Sequence, residues 1–430
     1  MRRHRLIGLL LALGLACSAL LAPPVAAAPL ATPQAPTASP VSLDSNLLAS
    51  KLAKPSQKKL TTAWAVYTAD GKPIVARDRL MVPASTTKIL TALAAIDVLG
   101  ADRTFTTKVV SAKRGKLTLV GGGDPYLTSG RSTVPAKKAN LTDLVAATAK
   151  ALKAAGVKKV TLTYSAPRFS GPRYSSSWKK TWASYTPRIM SLTVNGGKSG
   201  GAAYQNPAKS TAKLFAKKLR AKGFTVSLTG AASAPKGAKV VAAVESARLG
   251  TMVRRMLRYS DNVAAEMLAR HVATATDRAG SFAGGSAAVT AWLKGKELWG
   301  KGMKIDGGSG LSSKTKVLPS VLARSVGFAL SSPKYVDVVK GLPVAGVDGT
   351  LKNRFDDPSE KGGRKAVHAK TGSLKKVNAL AGYVTTKDGQ VLTFAFLASH
   401  NGTRSTAAGN WLDRSASILA RCGCSLATSG

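Results

Sequence analysis

Sheet-forming sequence stands at both ends of this 430-residue chain, and helix-forming sequence fills much of the space between. Residues 61–68 alternate around Trp64 and Val66, Asp70-Gly71 makes a turn, and residues 73–77 run back as a hairpin partner. Residues 365–371, 379–385 and 391–398 read as three further strands, the last two joined by a turn at Asp388-Gly389. The two sets are expected to merge into one five-stranded antiparallel sheet. Helices are predicted at 249–259, 263–274, 286–298, 319–329 and 405–421, with a first one opening at 47–52, and these would flank the sheet. The expected class is α+β, with a smaller α/β domain inserted.

The inserted part is where the texture changes, from about residue 106. Strands at 106–111 and 117–120 are broken by Gly121-Gly122-Gly123-Asp124-Pro125. A helix at 141–155 has Asn140 as its cap, strands are expected at 158–164 and 191–195, and a strongly basic helix at 208–222. Between Thr106 and Val244 there are 25 Lys/Arg and two acids, a net +23 over 139 residues against +21 over the other 291. Residues 106–245 are therefore expected to form a basic domain inserted between 45–105 and 246–425. The glycine run lacks the following Gly-Lys-Ser/Thr of a phosphate-binding loop.

The net charge of +44 first suggests nucleic acid as a partner. The N-terminus argues against it. Met1-Arg2-Arg3-His4-Arg5 is a basic start, and residues 6–21 form an apolar run that is short for a membrane span. Val25-Ala26-Ala27 and Ala26-Ala27-Ala28 both offer small-residue cleavage sites. Cutting after Ala27 is favoured, because Pro29 would follow the other cut directly. Residues 1–27 thus read as an export signal and 28–44, rich in Ala, Pro, Thr and Ser, as a linker. Gly14 stands where a lipoprotein site at Cys17 would want a large aliphatic residue. Outside the cytoplasmic membrane, a cationic protein would concentrate at anionic wall polymers. Cys422 and Cys424 could pair there in a small ring. With only four histidines and no zinc-type spacing, neither a metal nor an organic cofactor is expected.

Chemistry is concentrated after the hairpin, at Pro83-Ala84-Ser85-Thr86-Thr87-Lys88, which runs into an apolar helical segment, Ile89 to Ile96. Lys88 lies one turn after Ser85, on the same helix face, so hydroxyl and amine can form a nucleophile–base pair. The helix dipole and burial both disfavour charge on that lysine, and a neutral amine is what base chemistry needs. Ser-x-x-Lys also occurs elsewhere, at Ser210/Lys213 and Ser313/Lys316 among others, but none of those opens an apolar helix behind a strand pair. Ser260-Asp261-Asn262 then breaks two helices, and Lys370-Thr371-Gly372 ends a strand.

Ser85-x-x-Lys88, Ser260-x-Asn262 and Lys370-Thr371-Gly372, in that order, resemble the trio of penicillin-binding proteins and class A β-lactamases. The mature chain as a whole resembles the D-alanyl-D-alanine carboxypeptidase/endopeptidases of the low-molecular-mass class C penicillin-binding proteins. Gly121 to Leu127 is similar to that family's Gly-Asp-Pro signature, and Asp306 to Ser312 to its Asp-Gly-Ser-Gly-Leu-Ser loop with one extra glycine. Leu342 to Leu351 resembles another block. The 171 residues between Lys88 and Ser260 far exceed what a β-lactamase would have.

The resemblance implies a penicillin-binding/β-lactamase-like domain and an exported serine DD-peptidase acting on peptidoglycan stem peptides, with β-lactams as covalent inhibitors. Ser85 would be acylated, Lys88 would take its proton, and Ser260 would relay a proton to the leaving amine, assisted by Lys370. Asn262 would bind the substrate amide, and Lys370 with Thr371 the terminal carboxylate. Gly372 lies in the same binding strand, and the amides of Ser85 and Ser373 would form the oxyanion hole. The family often has acids in a tryptophan-rich stretch that reads the diamino acid of the stem. Here that stretch is Trp178-Lys179-Lys180-Thr181-Trp182, with no acid. Two alternatives stand beside the carboxypeptidase: an endopeptidase cutting cross-links by the same chemistry, and an inactive basic wall-polymer binder.

Overall fold

The computed structural model describes residues 44–53, 60–184, 186–401 and 405–421. The expected signal and linker, and Cys422 and Cys424, lie outside the described residues. Helix α1 (Ser45–Ala53) precedes the hairpin of β1 (Thr61–Thr68) and β2 (Pro73–Arg77), and α2 (Thr87–Leu99) follows. The middle of the chain gives β3 (Thr106–Lys113), β4 (Lys116–Val120), α3 (Leu141–Ala154), β5 (Lys159–Ser165), the two-residue strands β6 (Lys198–Ser199) and β7 (Ala202–Ala203), α4 (Pro207–Arg220), β8 (Thr225–Ala231) and β9 (Lys239–Glu245). Helices α5 (Leu249–Tyr259), α6 (Asn262–Ala275), α7 (Phe282–Gly295), α8 (Pro319–Leu330) and α9 (Val336–Val339) come next. Strands β10 (Val367–Leu374), β11 (Val377–Thr385) and β12 (Val391–Ser399) and helix α10 (Ser405–Arg421) complete the fold.

The two ends of the chain meet in one antiparallel sheet, ordered β10-β11-β12-β1-β2. The junction is the β1–β12 ladder, where Trp64 stands opposite Phe396 and Val66 opposite Phe394. Side chains alternate across a strand, and here both faces are covered. Ala63, Ala65, Ala395 and Leu397 join a core with α2, α5, α6 and α8. Trp64, Val66, Phe394 and Phe396 join a second core closed by α1 and α10. Burial on both faces is why β12 reads as a nearly continuous apolar run. Helix α2 is buried on every side from Thr87 to Ile96, which fits its lack of a polar face and makes it the central helix of the first core.

The middle segment builds its own sheet, ordered β8-β5-β4-β3-β9, with β4, β5 and β8 parallel. Helices α3 and α4 supply its core around Leu119, Leu162 and Phe215. Strands β8 and β9 are absent from the sequence expectation. They are the edge strands, and half or more of their residues are exposed; β9 carries little period-two signal, whereas β8 does alternate, with Val226 and Leu228 set between exposed neighbours, but over only seven residues. The strand expected at 191–195 does not form. Its backbone bonds go to loops instead, with Gly123 N donating to Ser191 O and Asn195 N donating to Leu127 O. On α4, Ala212, Phe215 and Leu219 face the core while Lys213 and Lys217 are exposed.

The chain leaves the first sheet's layers at Phe105 and returns at Ser246. Phe105 N donates to Ser246 Oγ (2.9 Å) and Ser246 N to Phe105 O (3.1 Å). The glycine run packs against this crossing. A Cβ on Gly122 would stand 2.0 Å from Thr106 O, so only glycine admits the approach. His271 of α6 completes the joint. Its ring stacks on Phe105 at 4.0 Å, and its Nε2 lies 2.9 Å from Gly123 O. Burial lowers this imidazole to about 4, so it is neutral and Nε2–H donates to that carbonyl. Among the described residues no helix is long and apolar enough to cross a membrane.

Candidate active site

Ser85 sits in a 3-10 turn, Ala84–Thr86, that runs into α2. Ala84 adopts φ 48, a left-handed conformation that costs a non-glycine residue about 1–3 kcal/mol. The turn is braced by its own threonines: Thr86 Oγ1 donates to Pro83 O and Thr87 Oγ1 to Ala84 O, both at 2.8 Å. Behind Ser85, Lys88 is wholly buried. Its Nζ lies 2.8 Å from Ser85 Oγ, 2.7 Å from Asn262 Oδ1 and 2.7 Å from Ser309 O. Burial lowers this amine to about 7, against the carboxylates of Glu266 and Asp261, which pull the other way. A neutral amine has two N–H donors and one lone pair. The Asn262 and Ser309 oxygens can only accept, so they take the two N–H groups and the lone pair is left for the Ser85 hydroxyl.

The second wall is the break between α5 and α6. Ser260 ends α5 in the left-handed region (φ 58, ψ 42), and Asp261 Oδ1 accepts the Ala264 amide at 3.0 Å as the cap of α6. Ser260 and Asn262 thereby face the same cavity as Ser85.

The third wall is β10, at the edge of the sheet. Its first half is covered, because Ala345 N donates to Val367 O and Ala369 N to Pro343 O, both at 2.9 Å. Lys370 is buried, and its Nζ donates to Thr371 O (2.8 Å) rather than to Ser260. Burial, and then the positive charges of Lys88 and Arg354, hold its pKa well below the usual lysine value. Thr371 Oγ1 donates to Thr350 Oγ1 (2.7 Å). A Cβ on Gly372 would be 2.6 Å from Pro83 O, so the strand abuts the nucleophile turn there. Ser373 is exposed and lines the cavity, of about 520 Å³, with Ser85, Ser260 and Asn262. Trp182 and Leu311 line it too, while Trp178 packs edge-on against Phe282 in the core (4.9 Å). His368 stacks on Tyr383 at 4.7 Å.

Two members of this arrangement are missing from the sequence reading, Ser309 and Glu266. Glu266 is buried and accepts the amides of Ser309 (Oε1, 2.9 Å) and Gly308 (Oε2, 3.0 Å). Thr91 Oγ1 holds Gly308 O at 2.7 Å, and Ser286 Oγ accepts Gly307 N at 2.8 Å. Gly310 (φ 77) lets the loop touch the nucleophile turn, since a Cβ there would meet Ala84 O at 1.9 Å. One signal was available: Glu266 stands at i+4 from Asn262, on the same helix face.

A family model described as the D-Ala-D-Ala carboxypeptidase 3 (S13) family matches residues 45–200 and 198–420. A carboxypeptidase of Mycobacterium tuberculosis is 33% identical over 415 residues, spanning 88% of this chain and 87% of its own. The carboxypeptidase DacB of Mycolicibacterium smegmatis is 34% identical over 360 residues, 80% of this chain and 76% of its own. Among solved structures, penicillin binding protein 4 from Haemophilus influenzae has the same fold, with a TM-score of 0.72 at 22% identity, covering 86% of this chain and 98% of that one.

Proposed function

The chain belongs to the D-Ala-D-Ala carboxypeptidase 3 (S13) family of serine peptidases, and we propose that it removes the terminal D-Ala of peptidoglycan stem peptides through an acyl-enzyme on Ser85, outside the cytoplasmic membrane. The observation that carries this reading is the three-way coordination of Lys88. With both N–H groups occupied by obligate acceptors, its lone pair takes the Ser85 proton as Oγ attacks the carbonyl carbon of the penultimate D-Ala. The Ser85 and Ser373 amides stabilise the oxyanion, a charge that exists only near the transition state. As the C–N bond breaks, Ser260 passes a proton to the leaving amine. Water then releases the acyl group. The uncovered part of β10, beyond Ala369, offers backbone groups along which an extended stem peptide lies as an added strand, with Asn262 binding its amide from the opposite wall.

The test uses the mature protein. Fluorescent penicillin should label it covalently, and a monomeric pentapeptide ending in D-Ala-D-Ala should lose one D-Ala. Labelling without D-Ala release, together with cleavage of a cross-linked stem-peptide dimer, would move the chain to the endopeptidase reading. No labelling and no release would leave the wall-polymer binder.

Lys370 gives a second, separable test. In this role its ammonium faces the substrate carboxylate, and the Thr371 hydroxyl turns from Thr350 to donate to the same group. Lys370→Ala is expected to cost about 2–4 kcal/mol in kcat/KM. A substrate with an amidated C-terminus should react more slowly with the wild type but little more slowly with the variant. Equal loss in both proteins would remove Lys370 from carboxylate recognition.

A further inference from the structure

A second cavity, of about 420 Å³, shares no lining residue with the catalytic one. It opens where the parallel strands β5 and β8 end, at Ser165 and Ala231, and where α4 begins, at Asn206 and Ala208. A helix that follows a parallel strand turns its positive end toward such a crevice. Here the first residue, Pro207, has no N–H. The Asn206 side chain and carbonyl take the amides of Lys209 (3.1 Å) and Ser210 (3.0 Å). The Ala208 amide is left without an intrahelical partner.

The independent observation is Arg270, which reaches the same cavity from α6. Arg270 is only 1% exposed. Its Nη2 donates to Pro172 O (3.0 Å) and its Nη1 to Ser170 O (3.5 Å), while Nε has no partner among the described residues. The guanidinium is held against Phe282 (4.2 Å) and Phe169 (5.6 Å). Burial lowers it to about 10, with the Glu266 carboxylate opposing, so it stays cationic at neutral pH. Among the described residues no carboxylate hydrogen-bonds it; the two Glu266 oxygens accept the Gly308 and Ser309 amides instead. A buried charge without a hydrogen-bonded counterion is costly, and an incoming anion removes that cost. Arg173 lines the same wall, and no acidic residue lines the cavity.

We propose that this cavity is an oxyanion-binding site, taking the phosphate or carboxylate group of a small molecule between Arg270, Arg173 and the start of α4. The site goes beyond the peptidase reading and uses none of its residues. Its volume suits a small ligand rather than a polymer segment. Both oxyanions occur in a bacterial wall, phosphate in its anionic polymers and carboxylate in its stem peptides.

The test is calorimetric titration of the whole mature protein at constant ionic strength, with chloride as the control anion. One arm uses inorganic phosphate and the other the dipeptide L-Ala-D-Glu. Most of the full chain's net charge of +44 lies in the mature protein, so diffuse anion binding is expected everywhere and a variant decides the matter. Asn206→Asp keeps the helix cap, because aspartate caps as well as asparagine, but sets a carboxylate in the cavity wall. The wild type should bind one saturable equivalent, and Asn206→Asp should bind at least tenfold more weakly while melting at the same temperature without ligand. Saturation by phosphate alone assigns the site to phosphate-bearing ligands, and by the dipeptide alone to carboxylates. Binding by Asn206→Asp equal to the wild type, or no saturable binding of either anion above chloride, would overturn the proposal.

Discussion

Alanine at Ser85 is expected to abolish covalent penicillin labelling and D-Ala release, and alanine at Lys88 to slow acylation by roughly 10³-fold, the range for removal of a positioned general base. The two substitutions act on different atoms of one pair, 2.8 Å apart. Without Ser85 there is no Oγ to acylate. Without Lys88 the hydroxyl remains, but nothing takes its proton, and two acceptors, the part-buried Asn262 Oδ1 and the buried Ser309 O, lose their donor. The buried carbonyl costs about 1–3 kcal/mol when left unpaired, so thermal melting should accompany the kinetics. A Ser85→Ala protein that still labels, or a label that maps to Ser210 or Ser313, would put the nucleophile elsewhere.

The same pair fixes a pH dependence. The reactive form of Lys88 is the neutral amine, and burial brings its titration down to about 7. Acylation should therefore be slow at low pH, rise with pH through about 7, and level off above it. Lys370 acts in the opposite sense, since only its protonated form attracts a carboxylate. Its lowered pKa places the descending limb below the 10.5 of a free lysine.

What the sequence made legible, and what it did not, follows from how local each signal is. The β1–β2 hairpin, α2 and α10 follow from turn residues and apolar spacing within one segment, and the structure gives them nearly the expected bounds. Ser85 and Lys88 are a turn apart on one helix, so their contact was available from spacing alone. Strands β8 and β9 escaped because edge strands bury little: β9 has no alternation, and the alternation of β8 rests on two apolar residues, Val226 and Leu228. The segment 191–195 has strand-like residues, yet its partners are the loop positions Gly123 and Leu127, which no local pattern reveals. The backbone acceptor of Lys88 escaped for the same reason. Ser309 is 221 residues away from Lys88 and contributes a backbone carbonyl, which has no residue signature.

That carbonyl is held in place by Glu266, and replacing this carboxylate is expected to have the largest effect of any change outside the cleft lining. Glu266→Ala leaves the buried amides of Gly308 and Ser309 unpaired, a loss of about 2–6 kcal/mol at ~1–3 kcal/mol each. The loop that brings Ser309 O to Lys88 Nζ would then lose its anchor on α6, although Thr91 and Ser286 still hold it at Gly308 and Gly307. Glu266→Gln is the sharper variant. Its amide oxygen can still accept one N–H, so much of the loop should persist, but the negative charge is gone. That charge raises the Lys88 pKa against burial. Removing it should move the rising limb of the acylation profile to lower pH, below about 7, and slow the plateau less than Lys88→Ala does. A role confined to holding the loop would lower the rate at every pH and leave the midpoint where it was. Stopped-flow acylation by a chromogenic β-lactam across pH 5–9, with melting temperatures alongside, separates the two. An unchanged midpoint and an unchanged melting temperature in Glu266→Gln would remove Glu266 from both the positioning and the electrostatics of Lys88.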